Sequence, residues 1–115
     1  MTASKDGLAG PAGAGAYAVV FTSLRTEGDQ GYAQTSDEMV ALAARQPGYL
    51  GVESARGADG LGITVSYWRD LESIRRWKAN ADHLAAQRAG RERWYRAYRI
   101  RVCRIEREYG FGLER

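Results

Sequence analysis

His83 is the only histidine in the chain and the only side chain whose ordinary pKa lies near neutrality. It is the natural candidate for a general base. Around it in sequence stand two aromatic blocks. The first runs Tyr67-Trp68 and on to Trp77; the second is Trp94-Tyr95-Arg96-Ala97-Tyr98. Aromatic walls suit a flat, apolar ligand, and a base set among them suits removal of a phenol or carbon-acid proton. Tyr98 adds a hydroxyl that could share that work. Each of these residues also has a structural reading. His83 lies about 100° from the apolar stripe through Leu84, at the stripe's edge, so it equally suits an exposed or capping position. Trp77 keeps helical spacing with Ile74, Ala81 and Leu84 and fits a core residue. Trp94, Tyr95 and Tyr98 fit a subunit seam as well as a pocket rim.

Other chemistries find little support. A single cysteine, Cys103, allows no internal disulfide and no thiolate cluster, and one histidine makes no His-rich metal site. Cys103 sits mid-strand with no neighbour to lower its pKa. Gly57-Ala-Asp-Gly-Leu-Gly62 has the glycines of a phosphate loop but joins two strands and opens no helix. The expectation is no metal and no cofactor. A net charge of +3 and a pI near 9.2 raise nucleic acid as a partner. The arginines are dispersed, however: Arg99, Arg101 and Arg104 alternate with Ile100, Val102 and Ile105, as on a solvated or intersubunit face. No nucleic-acid motif accompanies them, and none is expected to bind. No apolar run approaches the length of a membrane span. The first residues lack a basic start and apolar centre, so the expected location is cytoplasmic.

The elements that must position these residues follow from pattern. At 115 residues the chain makes one domain and buries roughly 65% of its unfolded surface. Residues 1–15, rich in Gly and Ala, read as a flexible tail. Strands are expected at 17–24, 49–56, 61–68 and 98–109 from their β-branched and aromatic content. A helix from near Tyr32 to Arg45, with Asp29 as N-cap, should bury Tyr32, Met39, Val40 and Ala43. Gln46-Pro47-Gly48 stops it. Asp70 caps a second helix that runs toward Gly90, with a kink conceivable at Asn80–Asp82. Glu53 and Ser66 are polar residues inside strands, and alternation leaves open which face each takes. The order β-α-β-β-α-β is the ferredoxin-like pattern, an α+β fold. Its helices cover one sheet face; a second copy of the chain is the economical cover for the other.

The strand Ile63-Thr-Val-Ser-Tyr-Trp68, the helix through Trp77-Lys78 and the segment from His83 to Trp94 resemble the antibiotic biosynthesis monooxygenase (ABM) family. The resemblance implies a dimeric α+β barrel domain over residues 16–110, with 111–115 a short tail and a pocket between sheet and helices. It implies a cofactor-independent monooxygenase acting on a small phenolic, polyketide-like compound. Trp68, Trp77, Trp94, Tyr95 and Tyr67 would contact the substrate, with His83 and Tyr98 catalytic. A non-catalytic or ligand-binding barrel, an accessory or stress protein, is the alternative. The family's haem-degrading branch places an iron-ligating histidine ten residues after the tryptophan matched by Trp77. Here that position holds Gln87, and the first strand lacks that branch's asparagine, so the resemblance to it is weak.

Overall fold

A computed structural model describes residues 7–29, 31–87 and 94–112. Its elements are β1 (Tyr17–Arg25), α1 (Tyr32–Ala44), β2 (Tyr49–Arg56), β3 (Leu61–Trp68), α2 (Leu71–Gln87) and β4 (Tyr95–Arg104). The strands form one antiparallel sheet in the order β2-β3-β1-β4. This is the ferredoxin-like arrangement that the element order implies.

Strand alternation divides the sheet's side chains between two faces. In register with Trp68 lie Ser66, Thr64 and Gly62 of β3, and Tyr17, Val19, Phe21 and Ser23 of β1. Tyr98, Ile100 and Val102 of β4 belong to the same face. Trp77 of α2 stacks on Trp68, with ring centres 5.8 Å apart and planes 22° from parallel, and Tyr32 of α1 meets Tyr95 of β4. This is therefore the helix-bearing face. The opposite face carries Val20, Leu24, Leu61, Ile63, Val65 and Tyr67.

Local chemistry places the helices. α1 starts behind Gly31, whose φ of 85° is a left-handed conformation that glycine adopts without strain. Gly31, not the expected Asp29, holds the N-cap position; the Asp29 carboxylate, three residues before Tyr32, accepts the Ala33 N–H of the first turn at 3.3 Å. The buried residues of α1 are Thr35 and Ala43, while Val40 faces solvent. Of the expected apolar line, Ala43 is buried, Tyr32 and Met39 are half-buried, and Val40 alone is exposed. At the start of α2, Asp70 Oδ1 accepts the Ser73 N–H at 2.8 Å and the Ser73 hydroxyl at 2.7 Å. α2 is unbroken through Asn80–Asp82. The expected helix end at Gly90 lies outside the described residues. β4 begins at Tyr95 rather than Tyr98 and ends at Arg104, because Tyr95 already pairs with Arg25 across a register shift.

Gly48 ties the two helical units together. Its φ is 86°, and a Cβ there would collide with the Ser73 side chain. Its carbonyl accepts the Arg69 N–H at 2.8 Å, so the turn before β2 sits directly on the β3–α2 junction. Of the segment expected as a tail, the described part is held by hydrogen bonds. Ala9 N–H reaches Glu53 Oε1 at 2.9 Å, and Ala12 and Gly13 N–H reach the Glu108 carboxylate at 3.0 and 2.8 Å.

Candidate functional site

The helix-bearing face carries two aromatic groups at opposite ends. At one end Trp68, fully buried, stacks on Trp77 and takes the edge of Tyr49 at 5.6 Å. Its indole N–H donates to Ser66 Oγ at 2.9 Å, so the only polar atom of that side chain is satisfied inside the core. At the other end Phe21 packs against Tyr95 and Tyr98, each 5.4 Å away. Tyr32 packs against Tyr95 at 5.8 Å and Trp94 at 6.4 Å. Trp94 is buried, and its carbonyl accepts the Arg25 Nε–H at 3.0 Å and the Thr26 N–H at 2.9 Å.

Between and beside these groups the face is open over β4. Tyr98, Ile100 and Val102 are 41%, 47% and 48% exposed on the side where the helices lie. With Phe21 they form an apolar strip that a flat ligand could cover.

Two tyrosines are held neutral. Burial, then the hydrogen bond to Tyr32, raises the Tyr95 phenol above its ordinary value. Burial, then the 2.7 Å hydrogen bond to Glu53 Oε2, raises Tyr67. Neither is a ready phenolate base; both are suited to donate.

The expected site residues therefore separate. Trp68 and Trp77 come together, and Trp94, Tyr95 and Tyr98 come together, all on the helix-bearing face. Tyr67 is on the other face with its partner Glu53, while Ser66 points toward the helices. His83 is exposed on α2, and among the described residues no hydrogen bond joins it to either aromatic group. Cys103 is exposed on the face away from the helices.

Phe21, Arg25 and Arg56 carry no sequence signal for the site, and Tyr32 is legible only as a helix-face residue. The Arg25 guanidinium lies 3.7 Å from the Tyr32 ring centre, within cation–π range, and that of Arg56 lies 5.9 Å from it. Arg56 crosses β3 over Gly62, where a Cβ would meet its Nη2 at 2.6 Å, and donates to Ser23 Oγ at 2.8 Å. The Gly62 that suggested a phosphate loop in fact clears a path for an arginine. Two open depressions, of about 220 and 480 Å³, flank Leu61 on the helix-free face. The first is lined by Thr22, Leu24 and Arg99 and is also edged by Tyr98, the second by Ala55 and Ile63, and neither touches a tryptophan or His83. Among the described residues no group of His, Cys, Asp and Glu could hold a metal ion, and no helix is long and apolar enough to cross a membrane.

Known proteins place this architecture. Over 92 residues the chain is 51% identical to the uncharacterised protein YqjZ of Bacillus subtilis, covering 80% of this chain and 81% of that one. Its fold matches SnoaB, a cofactor-independent oxygenase from Streptomyces nogalater, with a TM-score of 0.68 at 16% identity over 83% of this chain and 97% of that chain. Rv0793 from Mycobacterium tuberculosis gives a TM-score of 0.66 at 16% identity over 83% and 99%. At such identity these two likenesses speak for the fold alone. The family model of antibiotic biosynthesis monooxygenases matches residues 16–89, well over half of the chain, so the protein belongs to the antibiotic biosynthesis monooxygenase family.

Proposed function

We propose that the protein is a cofactor-independent oxygenase of a flat phenolic, polyketide-like compound bound on the helix-bearing face. One observation carries the reading: the accessible strip of Phe21, Tyr98, Ile100 and Val102 lies beside the edge-to-face tyrosines, where an aromatic ligand finds both area and ring edges. In this reading a base takes a proton from the activated CH₂ of the substrate. The carbanion gives its electrons to dioxygen, the resulting hydroperoxide loses water, and a C=O replaces the CH₂. The substrate is the reductant, so no metal or flavin is needed. His83 is the assigned base and Tyr98 the assigned hydroxyl, with Trp77 and Tyr95 as walls. A homodimer closed through the helix-free face completes the molecule.

The exposure of His83 favours a second reading, a binding barrel without turnover. Oxygen uptake with an anthrone decides between them. The wild type should consume dioxygen, and His83→Ala should lose about 10²–10⁴-fold, the usual scale of general-base assistance. A wild type that binds the anthrone but consumes no oxygen sinks the oxygenase reading.

A further inference from the structure

Two guanidinium groups approach the apolar strip with no carboxylate paired to them among the described residues. Arg25 gives Nε–H to the Trp94 carbonyl at 3.0 Å and Nη2 to the Gly28 carbonyl at 2.9 Å. Arg56 gives Nη1 to the Gly60 carbonyl at 2.5 Å and Nη2 to Ser23 Oγ at 2.8 Å. All of these acceptors are neutral. The ion pairs of the described residues lie elsewhere, on α2, at its start and just past β4, and none includes Arg25 or Arg56. Arg25 Nη1 and Arg56 Nε keep N–H groups without a partner among the described residues. Both side chains are fixed, one by stacking on Tyr32 and the other by the gap over Gly62.

Ser23 is almost fully buried and orients Arg56, and the neighbouring strand positions on the same face are Phe21 and Tyr98. A pair of positive charges with no carboxylate partner among the described residues, at the end of an apolar strip, matches a ligand with an anionic end and a flat apolar body. Arginine donors suit a carboxylate because their N–H groups lie in one plane and stay charged at every working pH. We propose that Arg25 and Arg56, around Tyr32, form the anion-binding end of the ligand site, and that the ligand is an aromatic carboxylate. This rests on the reading of the helix-bearing face as the ligand site; it requires no turnover.

The test compares 1-hydroxy-2-naphthoate with its uncharged amide, 1-hydroxy-2-naphthamide, by calorimetry on the full chain. Oxygen uptake plays no part, so failure of the oxygenase reading leaves this result standing. The wild type should bind the naphthoate about tenfold tighter, the scale of one charge-assisted hydrogen bond, and the margin should shrink as salt rises. Arg56→Gln should remove most of that margin while leaving amide binding alone. Arg56→Lys, which keeps the charge, should restore part of it. Equal wild-type affinity for acid and amide, or binding of neither, overturns the proposal. So does an Arg56→Gln protein, folded by circular dichroism, that loses affinity for both equally. Should Arg56→Gln not fold, the wild-type margin and its salt dependence decide alone.

Discussion

Trp68 shows how one side chain can serve packing and polarity together. It has no exposed surface, stacks on Trp77, and places its N–H on Ser66. Trp68→Ala should leave a cavity beneath α2 and an unpaired Ser66 hydroxyl. The expected loss is about 3–5 kcal/mol, read as a lowered urea midpoint; a loss below 1 kcal/mol would mean that α2 does not depend on this stack. Gly48→Ala should also destabilise, by about 1–3 kcal/mol, because the positive φ and the approach of Ser73 both oppose a Cβ. His83→Ala should leave the midpoint unchanged, since the side chain is exposed. Helical spacing marked Trp77 as a core residue, and it stacks on the fully buried Trp68. Strand alternation separated Trp68 from Tyr67 but could not say which of the two faces the helices would cover. Pattern was silent about Arg25 and Arg56. Nothing in a sequence announces that a glycine on β3 will let an arginine of β2 reach a serine of β1.

At the scale of elements, strands and helices were legible because each obeys its own period, and the capping aspartate before α2 was legible because its chemistry is local. What was not legible was the margin of each buried helix face and the register. α1 buries Thr35 and exposes Val40, and α2 buries Ser73 because Asp70 satisfies its hydroxyl. The β4 boundary shifted because pairing with β1, not local preference, decides where a strand starts. The cap of α2 also has a pH signature. The Ser73 hydroxyl and then its N–H hold the Asp70 carboxyl below its ordinary value, and Arg75 does the same for Glu72. Folded pKa values below the unfolded ones give stability that is present above the unfolded carboxylate range, about pH 4, and is lost as pH falls through the folded values. Asp70→Asn keeps a capping side chain and removes the titration. Urea midpoints of this variant should fall less steeply with pH below about 4 than those of the wild type. Parallel slopes would show that Asp70 contributes no pH dependence.

The whole molecule presents one face that its own helices do not reach. Leu61 and Ile63 are each 45% exposed there, and Val20, Leu24, Val65 and Tyr67 share that surface. Around Leu61 the surface dips into two open depressions, the shape expected where apolar side chains of a facing sheet would seat. Arg99 and Arg101 lie on the same face along β4, so the polar rim that an interface needs is also present. Two sheets packed through these faces would form a barrel with both sets of helices outside, leaving the strip of Phe21, Tyr98, Ile100 and Val102 accessible. An interface of permanent type buries on the order of 2,000 Å² or more. Light scattering at micromolar concentration should therefore give twice the 12.7 kDa chain mass. Ile63→Arg places a charge at the centre of the face, and Val40→Arg places the same charge on an exposed position of α1. The first should yield monomer and the second dimer. A wild-type monomer, or a dimer indifferent to Ile63→Arg, would show that this face is not where two chains meet.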